Sequence, residues 1–177
     1  MTQKPISIIR AHIESHYPVL YLVTHEETDT DALISELAED RNIIEWNMAR
    51  GLVDFKTKQP QIQYCDLADA LENLLDQELD NHFIVIRDAH MGLRDQPLAV
   101  ARLKALVTRV LADSNSAVTI FLVSSKPYVP PELEKFITLF DMPLPDEDAI
   151  RAIIQEYVNA YEISMGTDVL DKRVISR

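Results

Sequence analysis

Apolar residues fall into two alternating rhythms along this chain: short continuous runs, and stripes at helical spacing. Ile6, Ile9, Ile13 and His16 recur at the period of a helix face until Pro18 stops the turn. The run 19–23, Val-Leu-Tyr-Leu-Val, then has the length and continuity of a buried strand. Thr28, Asp29, Thr30 and Asp31 supply capping oxygens and early negative charge for a helix whose apolar face is Leu33, Ile34, Leu37 and Ala38. A second strand follows at 43–46, ending on the lone tryptophan, Trp46, which is expected as a partly buried lid over a core edge. The stretch 50–64, with Gly51, Pro60 and scattered polar residues, reads as an irregular excursion or a hairpin.

Asp66 opens the next helix, striped by Leu67, Leu71, Leu74, Leu75 and Leu79, and a third strand spans 83–86. Asp95 and Pro97 start a helix in which Leu103, Leu106, Val107, Val110 and Leu111 share a face, and 118–123 is a fourth strand. After the prolines at 127, 130 and 131 come a short helical piece and a fifth strand over 137–140. Asp146 and its neighbours cap a final helix carrying Ile150, Ile153, Ile154, Tyr157, Val158 and Tyr161. Continuous apolar strands are covered on both faces, and strand–helix alternation favours right-handed parallel crossovers. The pattern predicts an α/β fold, a doubly wound, mainly parallel five-stranded sheet. It forms one domain over 1–162, with 163–177 a tail or the start of a truncated following segment.

Composition narrows the function. Seventeen Lys and Arg against 29 Asp and Glu give a net charge of −12, which repels phosphate backbones, so no direct nucleic-acid binding is expected. A chain of this mass buries roughly 70% of its unfolded surface, enough for a core without staples. The single cysteine, Cys65, can form no internal disulfide and has no Cys or His at metal-ligand spacing, which places the chain in a reducing compartment such as the cytoplasm. No run approaches the roughly 18 apolar residues needed to span a bilayer, so no membrane is expected.

In an open α/β sheet, ligands bind beyond the carboxyl ends of the strands. After strand one stand Thr24, His25, Glu26 and Glu27. Glu26 and Glu27 read as a solvated helix approach, with a metal or substrate role as the alternative, since adjacent carboxylates repel a triphosphate. Phe83-Ile84-Val85-Ile86-Arg87-Asp88 has the shape of a Walker B strand, but Ala89 stands where a catalytic glutamate would polarise water. Asp88 is expected to hydrogen-bond backbone amides at the strand end rather than hold magnesium, and His90 to be exposed or satisfied. After strand four come Ser124, Ser125 and Lys126, a polar sensor position or simply turn formers before Pro127. A phosphate cradle needs clustered glycines, and the chain has three, Gly51, Gly92 and Gly166, none between a strand and a helix. No Walker A loop is expected.

Several segments in order carry a family resemblance: Tyr17 to Glu27, then Ile44 to Leu52, Phe83 to Asp88, Pro130 to Lys135, and Met142 to Glu147. Together, over about 5–162, they resemble the N-terminal half of the AAA proteins named for a hypothetical chloroplast reading frame. The resemblance implies a degenerate, P-loop-NTPase-like AAA domain in which Asp88 is a Walker B remnant and no catalytic residue is present. ATP and magnesium are then expected only in a downstream AAA module, and partners are proteins: an AAA module, self or other, with a homo-oligomer among the arrangements. It also implies a cytoplasmic setting, or the plastid stroma for a plastid-encoded relative. Three functions follow: a non-catalytic module for assembly, regulation or partner binding; a receiver-like switch using Asp88 and Ser124; or a nucleotide-binding domain with an atypical phosphate site at a helix N-terminus. An AAA-like sheet places strand one between strands four and five, and a receiver between two and three.

Overall fold

The computed structural model describes residues 3–61, 63–113, 117–142, 151, 154, 155 and 157–159. They divide into two compact units, 2–142 and 143–177 together with Met1. In the first unit the elements run α1 (Gln3–Glu14), β1 (Val19–Val23), α2 (Glu27–Ala38), β2 (Asn42–Asn47), β3 (Gly51–Asp54), α3 (Leu67–Leu75), β4 (His82–Arg87), α4 (Ala89–Leu93), α5 (Pro97–Ala112), β5 (Thr119–Ser124), a 3₁₀ turn (Glu134–Phe136) and β6 (Ile137–Asp141).

The strands form one sheet in the order β3-β2-β4-β5-β1-β6, parallel throughout except for the antiparallel pair β2–β3. The sheet therefore has six strands, not five. The segment read as an excursion or hairpin is a hairpin, because Gly51, at φ +73°, takes the left-handed conformation that closes the turn after Asn47. β1 lies between β5 and β6, the fourth and fifth of the expected strands, which is the AAA-like order and excludes the receiver-like one.

Continuous apolar strands alternate their side chains between two cores, as a sheet covered on both faces must. Leu20, Leu22, Phe83, Val85, Phe121 and Val123 meet Ile9, Ile13, Leu33, Ile34 and Leu37 of α1 and α2. Tyr21, Ile84, Ile86, Ile120 and Leu122 meet the leucine stripes of α3 and α5 on the other face. The stripe on α5 ends earlier than its periodicity suggests, with Val110 half-buried and Leu111 exposed. Trp46 is a core residue rather than a lid. It is 1% exposed, donates from Nε1 to the Cys65 carbonyl at 3.2 Å and packs over Gly92 of the unforeseen helix α4.

Helix starts follow their chemistry only in part. Asp66 caps α3 by accepting from the Asp69 N–H at 2.8 Å, and Pro97 opens α5. Asp95 is not the cap of α5, since that place falls to Gln96, which makes no side-chain cap bond. In the second unit Arg151, Ile154, Gln155, Tyr157, Val158 and Asn159 have helical backbone, with Val158 buried and Ile154 and Tyr157 exposed. The remainder of the helix expected to 161, and the tail to 177, lie outside the described residues. Among the described residues no helix is long and apolar enough to cross a membrane.

A Cβ at Gly51 would lie 2.9 Å from the backbone nitrogen of Cys65, on top of the left-handed φ. Gly51→Ala is therefore expected to cost about 1–3 kcal/mol, read as a lower urea midpoint with an unchanged slope.

Candidate functional site

Three strand ends and one helix start meet at the carboxyl edge of the sheet. Only Thr24, His25 and Glu26 separate β1 from α2. The Thr24 N–H donates to the Ser124 carbonyl at 3.0 Å, and Thr24 Oγ1 accepts from the Glu26 N–H at 3.0 Å, which turns the chain directly into the helix. The expected caps at 28–31 do not cap. Because the connection is so short, the helix has already begun at Glu27, and Glu26 holds the cap position without a side-chain bond. Thr30 is buried and donates back to the Glu26 carbonyl at 2.6 Å, while Asp31 is drawn into ion pairs.

Past β4, Asp88 adopts φ 53° and ψ 33°, a left-handed conformation uncommon for a non-glycine residue. Its side chain makes no cap bond, contrary to expectation. The Asp88 carbonyl does that work, accepting from the N–H groups of Met91 at 2.8 Å and Gly92 at 3.1 Å. Ala89 is fully buried. His90 is half-buried, and its Nδ1 is buried without a hydrogen-bond partner, so it is neither exposed nor satisfied there.

Past β5, Ser124 is buried with its Oγ 2.5 Å from the Tyr21 hydroxyl. Both hydroxyls reach the Lys126 carbonyl, and the Tyr128 N–H donates to Tyr21 at 3.2 Å. Ser124 thus ties β1 to β5 and to the loop that follows. Glu27, Asp88 and Ser124 line one small cavity of about 120 Å³ together with His25 and Arg87, whereas Glu26 stays exposed outside it.

The dominant feature of this end is a cluster of charges that the sequence reading missed. Arg87, 6% exposed, donates from Nε to Glu45 Oε2 at 3.1 Å and from Nη2 to Asp31. Lys58, from the turn after β3, donates to Glu45 at 2.6 Å and to Asp31 at 3.1 Å. Two carboxylates and two cations therefore close on one another, each acid shared by both bases. Glu45 is paired across the ladder with Val85, so Arg87, two residues farther, falls on the same face of the neighbouring strand. The signal was present as one acid and one base interrupting otherwise apolar runs, Glu45 after Ile43-Ile44 and Arg87 after 83–86.

Burial pushes the Glu45 carboxyl above its ordinary value, outweighing the Lys58 ammonium that pulls the other way, and burial likewise lowers the Arg87 guanidinium. Arg87 Nη1 is buried without a partner. Among the described residues no three His, Cys, Asp or Glu side chains converge as metal ligands.

The chain matches the family model described as SpoVK-like AAA ATPase, N-terminal domain, over residues 6–142. Among curated proteins, none matches this sequence. Its fold is similar to several solved structures. One is PCH-2 of C. elegans, at 12% identity and TM-score 0.53, covering 96% of this chain and 48% of that one. Another is a chain of the E. coli MS115-1 HORMA:CdnC:Trip13 complex, at 11% identity and TM-score 0.55, covering 97% and 65%. A third is a DNA polymerase III gamma subunit-related protein of Thermotoga maritima, at 10% identity and TM-score 0.53, covering 91% and 52%. At these identities the likeness is one of fold. The chain spans about half to two thirds of the length of these structures.

Breaking a buried ion pair from one side leaves an uncompensated charge. Glu45→Ala is expected to cost about 3–5 kcal/mol, while Glu45→Met combined with Arg87→Met returns to within about 1.5 kcal/mol of the parent, since Asp31 and Lys58 keep each other. Chemical denaturation of both variants measures this. A carboxyl whose folded pKa lies above its unfolded one adds most stability below the ordinary value of 4.5, and that contribution is lost as pH rises through the folded value. Relative to Glu45→Gln, the parent should therefore lose stability on going upward from pH 4.5, and a difference curve that is flat or rises would contradict the assignment.

Proposed function

The chain belongs to the SpoVK-like AAA ATPase N-terminal domain family, and from that membership we propose that it is a non-catalytic AAA-like module serving assembly, regulation or partner binding for an ATPase. The observation that carries this reading is the internal charge pairing at the carboxyl edge of the sheet, which lines a concavity of about 310 Å³, together with the short link from β1 to α2. A magnesium triphosphate, the group the fold family implies, does not fit the residues present. The three-residue link from β1 to α2 offers no run of converging N–H groups, and Glu26 and Glu27 stand at the start of the helix. Ala89, fully buried, has no carboxylate to orient water, and Asp88 is the only acid of its strand end. The guanidinium of Arg87 pairs through Nε with Glu45 and through Nη2 with Asp31, which leaves only the buried Nη1 without a partner.

In this reading Asp88 is a Walker B remnant and the protein a degenerate half of the kind seen in the chloroplast-reading-frame AAA proteins, with 1–162 as the module. ATP and magnesium belong to a catalytic AAA module on the same or another polypeptide, and the setting is the cytoplasm or plastid stroma. The module's partners are proteins, self copies included. In support, one of the similar folds is a chain of a complex of different proteins, HORMA:CdnC:Trip13.

Calorimetric titration of the purified chain with ATP and magnesium is expected to give no binding heat, and phosphate release no rate above background. Saturable binding that is lost on reversing charge near His25 would establish the alternative, an atypical nucleotide site at the start of α2.

A further inference from the structure

The two outermost strands of the sheet, β3 and β6, are finished differently. At β3 the returning chain closes the row of backbone groups: Val53 bridges Pro60, the Asp54 N–H donates to the Gln59 carbonyl at 2.9 Å, and the Gln61 N–H donates to the Leu52 carbonyl at 3.0 Å. Pro60 has no N–H to offer a further strand. At β6 no described residue plays that part. The strand carries neither proline nor lysine, and its one charged residue, Asp141, stands at its end.

The direction of its free groups follows from one bond. The Met142 N–H donates to the Val23 carbonyl at 3.0 Å, so alternation turns the N–H and C=O of Phe140 and Thr138 toward β1 as well. Those of Ile137, Leu139 and Asp141 face away from the sheet, and among the described residues they have no backbone partner. A free donor and acceptor on every second residue is the chemistry that takes another extended strand.

The row is also self-complementary. An antiparallel copy of β6, related by a two-fold axis at Leu139, sets Ile137 opposite Asp141, Thr138 opposite Phe140 and Leu139 opposite Leu139. The outward-facing residues then meet one another, and each of their N–H and C=O groups gains a partner. Thr138 with Phe140 is a β-branched–aromatic pair of the kind that stabilises neighbouring strands. Asp141 meets an isoleucine rather than an acid, which matters in a chain of net charge −12, whose copies repel overall. Leu139, level with Tyr21 on β1 and 46% exposed, would be covered by its own counterpart. On the opposite face Phe140 meets the His12 ring edge-on at 5.2 Å, and His12 leads to the exposed Tyr17 at 4.7 Å, so the rim there is aromatic too.

Resting on the partner-binding reading and naming one partner within it, we propose that β6 pairs with β6 of a second copy of this chain, antiparallel and in the register centred on Leu139. Two six-stranded sheets then become one continuous sheet.

The test uses the full chain, sedimentation equilibrium and amide hydrogen exchange. The chain should show a monomer–dimer equilibrium, with the amides of Ile137, Leu139 and Asp141 slowed only at concentrations where the dimer forms. Leu139→Pro removes an outward N–H that β1 does not use, and should give a monomer. Leu139→Lys and Leu139→Glu should each weaken self-association about tenfold or more, because the two-fold axis sets like charges face to face, and mixing the two should restore a dimer. Leu111→Lys, at a comparably exposed leucine on α5, should leave the dimer unchanged. Thermal melts establish that each variant is folded, and should the proline variant not fold, the lysine and glutamate pair carries the test.

A chain that stays monomeric at all concentrations, a dimer indifferent to the Leu139 variants, or lysine and glutamate variants that fail to pair on mixing would overturn the proposal. So would slow exchange at 137, 139 and 141 in a monomer, which would mean that β6 is closed within a single chain. A monomer that binds no ATP sinks this proposal and leaves the non-catalytic reading standing, whereas a dimer of this register that binds ATP does the reverse.

Discussion

A guanidinium and a carboxylate buried together organise the carboxyl edge of this sheet. Taking Arg87 and Glu45 out of water costs several kcal/mol for each ion, and the pair recovers that only with close geometry and further partners. Neither strand can supply those partners. They come from α2, through Asp31, and from the turn after β3, through Lys58. The pair therefore acts on elements well separated in sequence: it draws the first turns of α2 down against the strand ends and folds the β2–β3 hairpin over the same face. The short link between β1 and α2 is consistent with that pull, since a longer loop would hold Asp31 farther out.

A second polar network stands back to back with the first. Strand alternation puts Arg87 and Glu45 on the face covered by α1 and α2, and Tyr21 and Ser124 on the face covered by α3 and α5. On that face the linked hydroxyls of Tyr21 and Ser124, with the Lys126 carbonyl and the Tyr128 N–H, fasten the loop after β5. The two networks differ in kind. The ionic one joins secondary elements across the sheet edge, whereas the hydroxyl one seals β1 against β5 and their connection. Between them these networks commit most of the polar groups they contain to the protein itself, with Arg87 Nη1 left unpartnered.

Much of the architecture was legible because the signals were local and repeated. Apolar runs and helical stripes identify the strands β1, β2, β4, β5 and β6 and the helices between them, and parallel crossovers then restrict the order. What was illegible depended on contacts between distant residues or on backbone detail. The hairpin strand β3 has only four residues, and its existence rests on one left-handed glycine. Trp46 reads as a lid from its position at the end of a run, yet the closeness of Gly92 in α4 lets it sink completely. Oxygen-bearing residues at 28–31 look like caps, but tertiary pairing claimed Asp31 and a short connection moved the helix start. Of the candidate site, Glu27, Asp88 and Ser124 do converge. The four charges that dominate the place were read past, because a single acid or base at the end of an apolar run carries no statement of its partner until the strand register is known.

The two ends of the sheet now stand in contrast. At the carboxyl end, where α/β folds ordinarily receive ligands, two bases answer two acids and the link to the first helix is too short to wrap anything. At the amino end the guanidinium of Arg41 is stacked on Phe83 and lacks a partner at Nε. Buried polar atoms without a partner stand at both ends, Arg87 Nη1 and His90 Nδ1 at the carboxyl end and Arg41 Nε at the amino end, so internal pairing is incomplete at each.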